Sequence, residues 1–417
     1  MPQLLLEGGK PLTGCVRIDA AKNAVLPALA ATLLTDETVR LRGVPELRDV
    51  QITLDLIKTL GKRIDIVGTD VAVQGSGTLH AEAEHRYVQQ MRASFLVLGP
   101  LLARLGRAIV PLPGGCTIGP RPIDLHLEGL RRLGARVRQH DGAVELTADR
   151  LRGARIQLRY PSVGATEQLL MAATLARGET IIDGGAQEPE VQDLAALLRA
   201  MGAQIASEDG TFTVHGVDRL AGTEHIAIPD RIEASTYLLA AGATRGDVIV
   251  TGIEPTHMTA VFSALRSVGG HLSVSDGQAS VHFDRRPKPL HCVAGPYPAF
   301  PTDLQPPLVA CLSLAEGAST VIDPVFPDRY GYVPQLRRFG AAIETDRGEA
   351  RIRGVPALRG ASVLAPDLRG GAALVLAGLA ASGRTDLSAV EILDRGYAQL
   401  TSKLAGLGAQ IERVDAS

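Results

Sequence analysis

One cysteine of the chain lies in a loop rich in glycine and proline. Residues 111–125 read PLPGGCTIGPRPIDL, so Cys116 follows a Pro-Gly-Gly turn and precedes Arg121 by five residues. A structural cysteine normally lies within an apolar run, whereas this loop is predicted to be reachable by solvent. A nearby guanidinium favours the thiolate, the reactive form. The spacing therefore predicts a reactive thiol, on a loop whose glycines would let it open and close over a substrate.

The composition argues against two broad classes of function. The chain has 417 residues and a formal net charge of -2, whereas proteins that bind nucleic acid or anionic membranes usually carry a basic excess. No apolar run approaches the roughly 18 residues of a membrane-spanning helix, and the N-terminal MPQLLLEGGKPL does not resemble a secretory signal.

Because the four cysteines show no paired spacing, we predict a reduced, cytoplasmic setting and structural roles for Cys15, Cys292 and Cys311.

A repeated segment positions these residues in a larger fold. Each copy reads as the end of an amphipathic helix, a glycine and a strand, and successive copies lie about 67 to 73 residues apart. Glycine fits there because it adopts the left-handed conformation that ends a helix. The six copies are IKTLGKRIDI at Ile57, LRRLGARVRQ at Leu130, LRAMGAQIAS at Leu198, LRSVGGHLSV at Leu265, LRRFGAAIET at Leu336 and LAGLGAQIER at Leu404.

A second helix precedes each copy, and it is rich in alanine, leucine and glycine, as in AATLARGETIIDGG and AAGATRGDVIVTG. A helix that is apolar on nearly all sides is typical of a fully buried position. The length exceeds what one core supports, so we predict an α/β protein of two similar domains, each with three repeated units and buried helices. The predicted domains are 22–229, which carries the cysteine loop, and 1–21 plus 230–417, with a cleft between them as the expected site.

A set of motifs carries a resemblance to a known family. The chain resembles the enolpyruvyl transferases, and among them the UDP-N-acetylglucosamine 1-carboxyvinyltransferases, in order over nearly its whole length. The matching stretches are AAKNAVLPALAATLL from Ala20, MRASFLVLGPLLARLG from Met91, LPGGCTIGPRPIDLHLEGL from Leu112, YPSVGATEQLLMAATLA from Tyr160, EPEVQDLA from Glu188, PDRIEASTYLLAA from Pro229, YPAFPTDLQ from Tyr297, APDLRGGAALVLAGL from Ala365 and ILDRGYAQLTSKLAGLGA from Ile392.

The resemblance implies an inside-out α/β barrel in each domain and a particular reaction. The enolpyruvyl group of phosphoenolpyruvate would move to the 3-hydroxyl of UDP-N-acetylglucosamine with release of phosphate, in the first committed step of peptidoglycan precursor synthesis. Such a site needs cations for a carboxylate and a phosphate, an acid for the enol carbon and a base for the hydroxyl. No metal, other cofactor, nucleic acid, membrane or obligate protein partner is expected.

The resemblance also assigns the anion-binding residues. Lys22 would contact the phosphate, and Arg92, Arg121, Arg369 and Arg395 would complete a cluster around phosphoenolpyruvate. From spacing alone, Lys22 and Arg92 would be solvated residues at helix starts. Lys22 and Arg395 are also predicted to be catalytic.

Two further residues are implied to act on protons. Cys116 would add covalently to phosphoenolpyruvate, take part in proton delivery and product release, and be the residue that fosfomycin alkylates. Asp303 would take the proton of the acceptor hydroxyl. An aspartate after threonine is more often a helix cap, and both roles are compatible because the following run is predicted to be helical.

The acceptor-binding residues are implied by the same motifs. Uracil would be held by backbone groups of Arg121, Pro122, Ile123, Asp124 and Leu125. The diphosphate would be held by backbone N–H groups of Ser162, Val163 and Gly164 that lead into a helix. Asn23 would bind the acceptor sugar, and Asp303 and Val325 are also predicted to bind substrate.

Besides residues 19–21, three segments depart from the family pattern, around Pro306–Pro307, Asp328–Tyr332 and Gly370–Gly371, and these departures cluster near the expected acceptor. Two alternatives therefore stay open. The protein could use the same chemistry on another nucleotide hydroxyl, such as that of UMP, in secondary metabolism. It could also be a regulator that binds a nucleotide sugar without catalysis, although a binder has no need for Cys116 and Asp303 together.

Overall fold

The computed structural model describes residues 2–114 and 122–414 of the chain. They divide into an N-terminal unit, residues 20–114 and 122–228, and a C-terminal unit, residues 2–19 and 229–414. The domain boundaries given above remain a prediction.

The helices follow the apolar segments of the sequence. In chain order the α-helices of the described residues are α1 (Lys22–Ala31), α2 (Arg48–Thr59), α3 (His85–Val88), α4 (Leu98–Leu105), α5 (Asp124–Arg132), α6 (Val163–Ala173), α7 (Pro189–Ala200), α8 (Arg231–Thr244), α9 (Thr259–Ser267), α10 (Gln305–Leu312), α11 (Val333–Arg338), α12 (Leu368–Ala380) and α13 (Leu400–Gly406). Short 3₁₀ segments are Thr32–Leu34, Arg92–Val97, Pro255–Met258, Thr302–Leu304 and Val390–Arg395. None of the helices in these ranges is long and apolar enough to cross a membrane.

The strands are short and end at turns. In the described ranges they are β1 (Gln3–Glu7), β2 (Thr13–Arg17), β3 (Val39–Arg42), β4 (Lys62–Val67), β5 (Asp70–Gly75), β6 (Arg107–Pro111), β7 (Arg136–His140), β8 (Ala143–Thr147), β9 (Arg155–Gln157), β10 (Glu179–Asp183), β11 (Gln204–Glu208), β12 (Thr211–His215), β13 (Thr223–Ile226), β14 (Asp247–Thr251), β15 (His271–Ser275), β16 (Gln278–His282), β17 (His291–Val293), β18 (Ala318–Ile322), β19 (Ala342–Asp346), β20 (Glu349–Arg353), β21 (Ser362–Leu364), β22 (Arg384–Ser388) and β23 (Gln410–Val414).

The sheets repeat one topology. The strand orders are β13-β3-β5-β4, β6-β8-β7 and β9-β10-β12-β11 in the N-terminal unit, and β2-β14-β16-β15, β17-β18-β20-β19 and β21-β22-β1-β23 in the C-terminal unit. In each four-stranded sheet one edge strand is parallel to its neighbour, and after that pair the sheet changes to antiparallel pairing. The sheet of β6 has an isolated parallel bridge from Glu82 to Ile109 at the corresponding place.

At the centre of the C-terminal unit α8, α10 and α12 pack against one another. In the N-terminal unit α4 packs on α6, and α1 joins them through the 3₁₀ segments Thr32–Leu34 and Arg92–Val97. Small residues let them approach closely: a Cβ atom on Gly99 of α4 would lie 2.8 Å from the Gln168 carbonyl oxygen of α6. Likewise, a Cβ atom on Gly242 of α8 would lie 2.9 Å from the Cys311 sulfur of α10. Their side chains are buried nearly throughout. The predicted arrangement of buried helices with sheets around them is confirmed.

The repeated glycines also behave as predicted. Each follows an outer helix and precedes a strand, with a left-handed φ between 86° and 101°. They are Gly61, Gly134, Gly202, Gly269, Gly340 and Gly408.

Two glycines at the end of α13 test this conformational requirement. Gly406 and Gly408 both have open space where a Cβ would be, but only Gly408 has a positive φ, 86°. Gly408→Ala should lower the free energy of unfolding by about 1–2 kcal/mol through backbone strain. Gly406→Ala, the matched control, should be neutral or raise it by up to about 1 kcal/mol because alanine favours the helix. Urea unfolding measures both, and equal destabilisation by the two substitutions would contradict this explanation.

Candidate active site

Asp303 of the C-terminal unit is held between two arginines. It lies in the 3₁₀ turn before α10, and its Oδ1 accepts a hydrogen bond from Arg329 Nη2 at 2.8 Å. Its Oδ2 accepts from Arg369 Nε at 3.2 Å and Nη2 at 3.0 Å. The arginine side chains are 4% and 3% exposed, whereas that of Asp303 is 24% exposed. Both guanidinium groups are therefore buried behind a carboxylate that solvent can reach.

The helix-cap interpretation of Asp303 does not describe this arrangement, because Leu304 occupies the N-cap position of α10. Two neighbouring positive charges instead favour the ionised carboxylate. An ionised carboxylate can accept a proton from a hydroxyl group placed against its exposed side.

The start of α12 positions Arg369. The Asp367 carboxylate caps this helix, accepting hydrogen bonds from the N–H groups of Arg369 at 3.0 Å and Gly370 at 2.9 Å. The Arg369 guanidinium lies 5.3 Å from the centre of the Tyr397 ring. Burial opposes the charge, but Tyr397 and Asp303 outweigh it and raise the pKa of Arg369. Arg369 is therefore a permanent cation.

Arg395 and Val325 lie on other segments of the same unit. Arg395 is half-buried at the end of the 3₁₀ segment Val390–Arg395, which packs on α12. Val325 is half-buried in the loop after β18, and its N–H donates to Asp323 Oδ1 at 3.0 Å.

In the N-terminal unit, Lys22 is the first residue of α1 and is buried. Its ammonium group forms an ion pair with Asp49 Oδ2 at 3.2 Å, and the two side chains are 11% and 2% exposed. The alternative of a solvated lysine is therefore wrong. A buried ammonium requires such a partner, since an uncompensated buried charge is strongly destabilising. Asn23, the next residue, is half-buried.

Arg92 is brought against the segment predicted to bind uracil. It begins a 3₁₀ segment, and its Nη2 donates to the Pro122 carbonyl oxygen at 3.2 Å. Ile123 is the N-cap residue of α5, and Asp124 and Leu125 form the start of that helix. Asp124 forms an ion pair with Arg159. Cys116 and Arg121 lie outside the described residues.

The start of α6 has the geometry of an anion site. Ser162 is its N-cap, and the Ser162 hydroxyl accepts from the Ala165 N–H at 3.4 Å. Val163 and Gly164 follow in the first turn, where backbone N–H groups and the helix dipole favour negative charge. All three residues predicted to bind diphosphate are therefore at one helix N-terminus.

A buried histidine lies beneath this helix start. A Cβ atom on Gly164 would lie 3.5 Å from His126 Nε2. The hydrogen-bond network orients the Gln168 amide so that its nitrogen donates to His126 Nδ1 at 3.2 Å, which leaves the ring proton on Nε2. Burial lowers the pKa of His126 to about 4, and the nearby positive charge of Arg92 acts in the same direction. The imidazole is therefore neutral near pH 7.

The described cysteines differ in exposure. Cys311 and Cys292 are buried, and burial raises the pKa of each thiol to about 12. This agrees with structural roles for these two residues, whereas Cys15 is exposed on β2. Residues 2–114 and 122–414 contain no group of three or more His, Cys, Asp or Glu side chains arranged to hold a metal ion.

Sequence reasoning missed four residues of these arrangements, namely Asp49, His126, Asp323 and Arg329. His126 stands within a motif quoted above, two residues after Asp124, and Arg329 stands within a segment noted only for its departure from the family. Asp49 carries no local signal, because its partner Lys22 is 27 residues away. Asp323 bonds locally to the Val325 and Phe326 N–H groups, but its link to Thr302 spans 21 residues and has no local signal either.

Comparison with known proteins identifies the class. The sequence model of the EPSP synthase (3-phosphoshikimate 1-carboxyvinyltransferase) family matches residues 6–404. The chain therefore belongs to the enolpyruvyl transferase family.

Curated relatives are more specific. The chain is 47% identical over 418 residues to UDP-N-acetylglucosamine 1-carboxyvinyltransferase 2 of Carboxydothermus hydrogenoformans, covering 99% of this chain and 100% of the relative. It is 45% identical over 415 residues to UDP-N-acetylglucosamine 1-carboxyvinyltransferase of Geobacter metallireducens, with 99% and 100% coverage. The resemblance stated from the motifs is confirmed.

Solved structures agree on the fold. The enolpyruvyl transferase NikO from Streptomyces tendae superposes with a TM-score of 0.91 at 27% identity, covering 100% of this chain and 99% of that one. EPSP synthase from Acinetobacter baumannii superposes with a TM-score of 0.75 at 20% identity over 99% and 100% of the two chains, which bears on the fold alone.

His126 generates a pH prediction. The unfolded chain protonates this imidazole below about pH 6.5, whereas the folded chain does so only near its pKa of about 4. Between these values the unfolded state binds more protons, so stability falls as the pH falls. His126→Asn keeps an acceptor for Gln168 but does not titrate. Between pH 7 and 5, the wild type should lose about 2 kcal/mol more unfolding free energy than this variant. Equal losses in urea unfolding would show that His126 is not the group responsible.

Proposed function

We propose that the protein transfers the enolpyruvyl group of phosphoenolpyruvate to the 3-hydroxyl of UDP-N-acetylglucosamine and releases phosphate. This would be the first committed step of peptidoglycan precursor synthesis. The curated relatives that support this acceptor are 45% to 47% identical over nearly the full chain. The observation that carries the chemistry is the Asp303 carboxylate, which is partly exposed and held by two buried guanidinium groups.

Asp303 has the properties that the base of this reaction needs. The acceptor oxygen forms a bond to C2 of phosphoenolpyruvate while its proton passes to the Asp303 carboxylate and C3 gains a proton. The bond from C2 to the phosphate oxygen then breaks, and C3 loses a proton to restore the double bond. Arg329 and Arg369 fix the direction of the carboxylate. Their charges keep it ionised and therefore able to accept the proton.

The cationic residues of each unit suit an anionic substrate. Lys22, held by Asp49, and Arg92 supply positive charge in the N-terminal unit. Arg369 and Arg395 supply it in the C-terminal unit. We assign these groups, together with Arg121, to the carboxylate and phosphate of phosphoenolpyruvate, where preorganised cations stabilise the charge that develops on the leaving phosphate.

The acceptor is assigned to three further segments. Residues 121–125 would hold uracil, the N-terminus of α6 at Ser162, Val163 and Gly164 would hold the diphosphate, and Asn23 and Val325 would hold the sugar side. Support comes from the α6 N-terminus, whose first-turn N–H groups are suited to phosphate oxygens. Cys116 is assigned to proton delivery and product release, as the motif implies.

One observation favours a different acceptor as the second candidate. The three segments that depart from the family pattern pack around the elements that hold Asp303. A Cβ atom on Gly370 would lie 2.9 Å from the Tyr332 Cβ. The Tyr332 hydroxyl donates to Gln305 Oε1 at 3.2 Å, next to Pro306. An altered support for Asp303 would suit another nucleotide hydroxyl, such as that of UMP.

The proposal is tested by measuring phosphate release from phosphoenolpyruvate, once with UDP-N-acetylglucosamine and once with UMP as the acceptor. The mass of each product is recorded. We expect release and an enolpyruvyl mass gain with the nucleotide sugar. Asp303→Asn should lower kcat by about 10²- to 10⁴-fold through loss of the base. Asp276→Asn, which removes an exposed carboxylate from a surface turn, should leave kcat unchanged.

Cys116→Ala in the same assay tests the assigned thiol. It should lower turnover and abolish inhibition by fosfomycin, because alanine cannot be alkylated. Release only with UMP would transfer the assignment to the second candidate. Binding of the nucleotide sugar without release from any acceptor would support the non-catalytic regulator and contradict enolpyruvyl transfer.

A further inference from the structure

A second aspartate of the C-terminal unit connects two parts of the proposed site. Asp323 follows β18 and is fully buried. Its two carboxylate oxygens have different partners, one on the loop after the strand and one on the turn before α10. A buried carboxylate that makes several hydrogen bonds fixes the groups around it, because each broken bond would leave a polar group unsatisfied.

The first oxygen orders the loop that carries Val325. Asp323 Oδ1 accepts hydrogen bonds from the N–H groups of Val325 and Phe326, each at 3.0 Å. The Phe326 ring in turn lies 5.4 Å from the guanidinium carbon of Arg329. This oxygen therefore sets the loop backbone and also the aromatic face against which Arg329 packs.

The second oxygen reaches Asp303 through two side chains. Asp323 Oδ2 accepts from the Thr302 hydroxyl at 2.5 Å. The Thr302 oxygen accepts from Arg329 Nη1 at 2.9 Å, and Arg329 Nη2 donates to Asp303 Oδ1 at 2.8 Å. The Thr302 hydroxyl has one proton, which it donates in the hydrogen bond to Asp323. A lone pair of the Thr302 oxygen must therefore face Arg329. The direction of every bond in this chain is thus determined.

We infer that Asp323 is a positioning residue for the proposed reaction. Its carboxylate fixes the position of the Asp303 base through Thr302 and Arg329. The same carboxylate fixes the Val325 backbone on the acceptor side. The inference rests on the proposed function. It differs from a purely structural role because the two branches should affect different kinetic constants. A base displaced by about 1 Å lowers kcat up to about 100-fold, whereas a displaced loop weakens binding of the acceptor.

Two pairs of variants separate the branches. Thr302→Val removes the hydroxyl at nearly constant volume, and Thr302→Ser, the matched control, retains it. Asp323→Asn keeps an oxygen for the Val325 and Phe326 N–H groups but presents N–H to Thr302, which then has no acceptor for its proton. Asp323→Ala removes both branches.

Steady-state kinetics with phosphoenolpyruvate and UDP-N-acetylglucosamine give the first readout. Thr302→Val and Asp323→Asn should lower kcat about 10- to 100-fold with less than a threefold change in KM for the nucleotide sugar. Asp323→Ala should lower kcat and also raise that KM, and Thr302→Ser should behave as the wild type. Equal kcat values for Thr302→Val and wild type, or equal impairment of the valine and serine variants, would overturn the inference.

A crystal structure of the Thr302→Val variant gives a readout that does not depend on the acceptor. The distance from Arg329 Nη2 to Asp303 Oδ1, 2.8 Å here, should lengthen beyond hydrogen-bond range, above about 3.5 Å. An unchanged distance would overturn the inference even if the protein transfers enolpyruvyl groups. If wild type is inactive with UDP-N-acetylglucosamine but active with UMP, the proposed acceptor is wrong, and the same kinetic comparison is made with UMP.

Discussion

The C-terminal unit depends on how two buried positive charges are accommodated. Arg329 and Arg369 are almost fully buried, and removing an ion from water costs several kcal/mol unless it is paired with good geometry. Asp303 meets both guanidinium groups with separate oxygens. The carboxylate is therefore fixed in direction while one side remains exposed. The ion pairs that stabilise the buried arginines also fix the direction of the carboxylate that we propose as the base.

The elements around this interaction are arranged by the buried helices. Asp303 precedes α10 and Arg369 begins α12, and these two helices pack closely within the core of the unit. Small residues permit close approach within this core, as the contact of Gly242 of α8 with Cys311 of α10 shows. Because the helix starts are held by an apolar core, the polar groups at their ends have little freedom. Each unit uses the same plan, with Lys22 and Ser162 at the starts of α1 and α6.

The repeated pattern allowed most of the fold to be predicted, because both of its signals are local. An all-apolar helix indicates burial, and a glycine after an amphipathic helix indicates a left-handed turn, as at Gly61 and Gly408. The motifs likewise located Lys22 and Asp303. Their ion pairs could not be predicted, since Asp49 and Arg329 are 27 and 26 residues away and no spacing rule joins them. The strands that pair with β1 and β2 in the C-terminal unit are likewise distant in sequence, so this pairing had no local signal.

A crystal structure of the Asp303→Asn variant with UDP-N-acetylglucosamine bound would test the central claim most directly. The substitution keeps the shape of the side chain but removes the proposed base, so the acceptor should remain bound without reacting. We expect the sugar 3-hydroxyl within about 3.2 Å of the side chain at position 303, with Arg329 and Arg369 still against it. A nucleotide sugar bound with no hydroxyl near position 303 would contradict the assignment of Asp303 as the base.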